Sequence, residues 1–271
     1  MFWVAWRQQW VQLLVLASLL VVGAIAMVLL RLDAEAAIVE RGIAHCLVDK
    51  WFVEPGCRQS VQDFQEVHYD RIKYAELVLS SMPLLLGVFC AAPLLARELE
   101  SGTHVLALSQ SVGRMRWLAV KLAVALVPAV AVLAGLSAVL QQWLASVGWL
   151  GPAKEGLYAA LNFDNNGVLP VVYTVFAYLL GVWAGVATRR TVPAMLIAGA
   201  GYVVLRFAGV VLLRRQLATG LGGEEGHSYT TLLAPEHFWS MQSVEAVVFV
   251  VVAGALLADA VRRLRGNAMM R

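Results

Sequence analysis

The sequence predicts an all-α membrane protein with six transmembrane helices, on three observations. Of its 271 residues, 60% are apolar and only 14% charged, with a mean hydropathy of +0.72. A soluble domain of this length has no core large enough to use so much apolar surface. Several apolar runs reach the roughly 20 residues a helix needs to cross about 30 Å of hydrocarbon. These runs are continuous and do not alternate in period two, which argues against a transmembrane barrel.

The spans fall at about 10–31, 76–96, 118–147, 168–187, 192–213 and 244–261, so residues 1–271 read as a single transmembrane domain. Ahead of span one, WVAWRQQW sets three tryptophans around one Arg, the composition of an amphipathic helix lying in the membrane interface. The apolar run that follows is too long for a signal peptide, and only Arg7 precedes it, so it is expected to be retained as the first membrane helix.

Loop 32–75 is too long for a plain connector. Its stretch SVQDFQEVHYDRIKYAEL brings Val61, Phe64, Ile72 and Leu77 near helical spacing, which predicts an amphipathic helix running into span two. Cys46 and Cys57 share this loop, and Cys90 sits alone in span two. An extracytoplasmic loop permits a Cys46–Cys57 disulfide; the alternative is two unpaired thiols buried beneath the loop.

Span three is long and contains Pro128, so a kink is one expectation for it. In span four the pair Gly181 and Gly185 fits the GxxxG spacing that lets helices approach closely. Span five carries Arg206, about 10 Å of helix rise from its outer end. Glu245 in span six and Glu76 in span two stand at similar depth. A charge there is a polar element of a transport path or a clamp between helices, and Glu245 is the expected partner of Arg206.

Orientation follows from the basic residues. The N-terminal segment, 97–117, the turn Thr188-Arg189-Arg190-Thr191 and the tail are short and hold Lys and Arg beside membrane ends. The loops 32–75, 148–167 and 214–243 are longer and more acidic. The positive-inside rule therefore puts both termini and segment 97–117 in the cytoplasm.

Catalytic patterns are missing from the sequence. It has no GxxxxGK[ST] phosphate loop, HExxH or GxSxG, and GLGGEEG at 220–226 lacks both the spacing and the preceding strand of a dinucleotide fingerprint. His68 with Asp70, and His227 with Glu224 and Glu225, lack metal-ligand spacing. No cofactor or metal is expected in this chain.

Segment 97–117 is the most organised polar stretch. Glu98 and Glu100 end span two, Gly102 turns the chain, and Thr103 is placed to cap a new helix. Val105, Leu108 and Val112 then share one face with Leu106 at its flank, and Arg114 and Arg116 mark re-entry to the membrane. RELESGTHVLALSQSVGRMRWLAVKLA resembles the region between spans two and three of ABC-2-type transporter permeases, particularly the actinobacterial kind. The resemblance continues in AWRQQW, FDNNGVLPVVYTVFA, GVATRRTVPAM and PEHFWSMQSVEA, and leaves out loop 32–75.

The resemblance implies the membrane subunit of an ATP-binding cassette exporter in a bacterial plasma membrane, moving an amphipathic drug, antibiotic, lipid or similar molecule outward. It also implies that 97–117 contains a coupling helix, with Glu98, Glu100, Gly102, Thr103, Val105, Leu106, Leu108 and Arg114 as its ATPase-coupling residues. Two copies of a separate ATPase subunit, binding ATP and Mg, and a second permease chain would complete the unit. The competing reading is a stand-alone secondary transporter or channel, against which stands the lack of inverted repeats.

Overall fold

The computed structural model describes residues 2–49, 52–102, 113–155, 158–220 and 237–266. Helix α1 spans Phe2–Glu40 without a break. Its 39 residues reach about 58 Å at 1.5 Å each, far beyond the bilayer core. The interfacial helix expected ahead of span one is therefore not a separate element. Trp3, Trp6 and Trp10 lie exposed on the first turns of α1, because no Gly or Pro interrupts residues 2–22.

Loop 32–75 turns out to be largely helical. α1 persists to Glu40, and α2 (Arg58–Leu86) continues straight into span two. Between them lie a 3-10 turn at Ile43–His45 and an antiparallel ribbon of two short strands, β1 (Leu47–Asp49) and β2 (Phe52–Val53). Cys46 and Cys57 are joined across the ribbon, with their Cα atoms 5.6 Å apart. On α2 the buried stripe is Val61, Phe64, His68, Ile72, Glu76 and Leu79, at steps of three or four residues. Leu77 is exposed, since four residues on from Ile72 falls Glu76.

Span two is completed by a π-turn (Gly87–Ala91) and α3 (Ala92–Glu100). α4 (Arg114–Val147) is one continuous helix through Pro128, and the short α5 (Ala160–Asn165) leads into α6 (Leu169–Thr188). Span five consists of α7 (Thr191–Ala208), a second π-turn (Gly209–Leu213) and α8 (Arg214–Gly220). α9 (Phe238–Arg265) is span six. Among the described residues six stretches are long and apolar enough to cross a membrane: Gln9–Glu40, Arg58–Glu100, Met115–Leu150, Leu169–Thr188, Thr191–Leu217 and Phe238–Arg265.

Span four is the hub, with 78% of its apolar window buried against 6% for span one and 11% for span five. Its close fit comes from glycine. A Cβ on Gly181 would sit 2.5 Å from the Gly87 carbonyl oxygen, and one on Gly185 would sit 2.8 Å from that of Ala92. The GxxxG pair thus lets the backbones of spans two and four touch. We call the end of the bundle with the start of α1 and the end of α9 the base, where Gln9 meets Lys121 and Trp183 meets Asp259. The opposite end, with the Cys46–Cys57 ribbon, is the head.

Candidate functional site

Two clusters of polar side chains stand out, one at each end. At the base, Glu98 and Glu100 close span two. Residues two apart on a helix point about 200° away from each other, so the two carboxylates cannot face one partner. Glu98 forms an ion pair with Lys121 on span three. The Lys121 side chain is 5% exposed, its ammonium lies 5.3 Å from the Trp117 ring, and its carbonyl accepts the Gln9 amide at 3.2 Å. An ammonium so enclosed needs its carboxylate partner.

Glu100 turns to the other side and reaches span five. Its Oε2 accepts from the Thr191 backbone N–H at 2.9 Å and from the Thr191 hydroxyl at 2.7 Å. Thr191 is the first residue of α7, and its own N-cap, Arg190, supplies no side-chain bond. A carboxylate from another helix therefore meets the positive end of the helix dipole and one of its orphan donors. The tight turn before it is made by Arg189 at φ +56°.

Gly102 has φ +71°, a left-handed conformation that glycine adopts without strain, and it ends the helical path as expected. Thr103, Val105, Leu106 and Leu108, which the resemblance implies as coupling residues, lie outside the described residues, and Arg114 opens α4 beyond them.

At the head, Arg206 and Glu245 come together at 3.3 Å, within a larger assembly. Arg214 grips Glu245 with two bonds, Nε to Oε2 at 2.8 Å and Nη2 to Oε1 at 3.0 Å. Its Nη2 also donates to Asp164 Oδ1 at 2.5 Å, and Arg206 pairs with the other Asp164 oxygen. The Tyr173 hydroxyl donates to Glu245 at 2.5 Å and accepts from Arg206 at 2.8 Å and Arg214 at 3.1 Å. The guanidinium carbons stand 3.8 Å from the Tyr173 ring centre for Arg206 and 4.4 Å from that of Phe163 for Arg214. Two positive and two negative charges balance, and two-bond Arg–carboxylate contacts with all members hydrogen-bonded are what make such burial tolerable.

Asp164 is delivered by α5, which amide side chains hold in place. Gln242 donates to the carbonyls of Phe163 at 3.2 Å and Asn166 at 2.9 Å. Gln141 donates to the Asn165 carbonyl at 2.9 Å, and Asn165 to that of Glu76 at 3.0 Å. Glu76 itself does not join the head cluster; its carboxylate lies 3.3 Å from Lys73.

The sequence reading missed Arg214, Asp164 and Tyr173. In an unbroken α-helix Arg214 would sit about 80° around from Arg206, eight residues earlier. The π-turn between them absorbs one residue, leaving the equivalent of seven and bringing both onto one face within about 20°. The signal was present as two arginines flanking an apolar glycine-led stretch, but it needed the bulge to be read.

Beside this cluster a cavity of about 360 Å³ opens between spans two and five. Leu77, Leu84, Val203 and Phe207 give it apolar walls, while Asp164 and Arg206 stand at its lining with Tyr202. An amphipathic molecule has both kinds of surface to meet there. His68 is buried, stacked on Phe64 at 4.6 Å, and faces Asp33 at 3.8 Å. Among the described residues no three His, Cys, Asp or Glu side chains are grouped to hold a metal.

No curated protein and no solved structure matches the chain. Six membrane-length helices, a stem of two acids at the base and residues 17–214, which match the family described as ABC-2 membrane transporter related, lead to one assignment: the chain belongs to that family and is a multi-pass membrane permease of an ABC transporter.

Proposed function

We propose that this permease is the membrane subunit of an exporter, that its base faces the cytoplasm, and that residues 103–112 dock on a separate ATPase subunit. The ATPase binds ATP and Mg and supplies the phosphate loop this sequence lacks. Two permease chains and two ATPase chains form the working unit, and the substrate is amphipathic.

The observation that carries the reading is the anchoring of span two's last turn. Glu98 and Glu100 tie it to spans three and five, and the left-handed Gly102 ends the helical path. A segment that only lay on lipid would not need its stem fixed to two other spans. The apolar cavity with a charged end supports an amphipathic substrate.

The test is purification of the tagged permease from its native membrane, followed by assay of ATP hydrolysis in the eluate. Wild type should bring an ATPase with it. Leu106→Asp with Leu108→Asp places carboxylates on the docking face and should abolish recovery at equal permease abundance, since unpaired charge at an interface costs several kcal/mol. Equal ATPase recovery from wild type and variant would reject the docking role.

A further inference from the structure

We propose that Glu100 is a positioning residue that ties the exit of span two to the start of span five, so that displacement of the docking segment is delivered to span five. The inference rests on the docking role proposed above and adds the route by which it acts.

Three observations carry it. First, Glu100 bonds across 91 residues of sequence to both donors of Thr191, at the first turn of α7. Only Ser101 and Gly102 separate it from residues 103–112. Second, Glu98 is already engaged with Lys121 on span three, so the two acids divide one stem between two helices.

Third, span five has 11% of its apolar window buried and is held by polar side chains toward both ends. At the base the grip is Glu100. At the head it is Arg206 and Arg214, which fasten it to Asp164 of α5, Tyr173 of span four and Glu245 of span six. Between them it packs against spans two and four through Ala194, Ala198 and Tyr202, and an unbroken helix displaced at its base carries these turns with it as a rod. Val203 and Arg206 on that rod line the cavity between spans two and five, so a push at Glu100 alters the cavity.

The experiment uses the purified permease–ATPase complex with a nitroxide on Val203→Cys, in a Cys90→Ala background. Cys90 is the free thiol, and Cys46 and Cys57 are bonded to each other. The readout is the change in spectral line shape on adding ATP with vanadate. Wild type should show a change. Glu100→Ala should lower the spectral change per recovered ATPase at least about fivefold, the low end of couplings between distant sites. Glu100→Gln, whose amide oxygen still accepts a hydrogen bond, should retain part of the response. A merely structural role would lower abundance and hydrolysis together and leave the response per complex intact.

A full response in Glu100→Ala, or none in wild type, overturns the proposal. Loss of ATPase recovery in Glu100→Ala also overturns it, by placing Glu100 on the docking face. Absence of an ATPase from the wild-type preparation is a separate result, because it removes the docking role itself.

Discussion

Arg206 and Arg214 share one face of span five although they stand eight positions apart, and both donate to the Glu245 carboxylate. The π-turn at Gly209–Leu213 makes this possible by taking up one residue.

The register argument gives an unusual expectation. Deleting Val211 should convert the π-turn to plain α-helix and leave the arginines seven residues apart, still on one face. The deletion should shift thermal stability by no more than about 1 kcal/mol. Inserting one alanine at the same point should turn Arg214 away from Glu245 and prove far more damaging. Thermal unfolding of the detergent-solubilised protein ranks the two. Greater damage from the deletion would show that the bulge has some other role.

Within the cluster, single truncations should be severe and their combination mild. Arg214 is 2% exposed and Glu245 is fully buried, so Arg214→Ala or Glu245→Ala strands a charge, at roughly 3–5 kcal/mol each. The double variant removes both charges and should cost clearly less than the sum. Additive losses in the same unfolding assay would mean that the two side chains act independently.

Gly181→Ala sets a Cβ against backbone, 2.5 Å from the Gly87 oxygen, where no side chain can swing aside. Overpacking of this kind costs about 1–3 kcal/mol. Gly254 in span six has nothing within 4 Å of its Cβ position, so Gly254→Ala should be neutral or slightly stabilising. Similar effects from the two substitutions would contradict the close contact of spans two and four.

The Cys46–Cys57 bond closes a short loop at the head, and loop-closure entropy assigns such a crosslink about 2–3 kcal/mol. Non-reducing peptide mapping should recover the linked pair. Cys46→Ser with Cys57→Ser should lower the unfolding temperature without affecting insertion of the spans. Two freely alkylated thiols in unreduced, denatured protein would end this expectation.

Hydropathy made the six spans legible because membrane insertion sums apolar surface along contiguous residues. Val61, Phe64 and Ile72 were legible for a related reason, since helical periodicity is local. Arg206 was noticed because an ionised group inside an apolar run is anomalous. Arg214 and Asp164 were not, because a charge beside an apolar run ends the apolar window and assigns the residue to a loop. Glu100 was recognised as belonging to the stem, but its partner Thr191 lies 91 residues away, and no local pattern reports a helix capped from outside. The extent of α1 was misjudged because tryptophans beside an Arg suggest an interface whether or not the helix bends there.

The contact of Gly181 and Gly185 with span two has a mechanical meaning. Where two helices touch through interdigitated leucines, rotamer changes let one slide past the other. Here carbonyl and glycine meet directly, and there is nothing between them to rearrange. Spans two and four must then travel as one body. Whatever shear the bundle undergoes has to fall elsewhere, along the thinly covered flanks of spans one and five. A transporter built this way has its fixed frame at its centre and its moving parts on the outside.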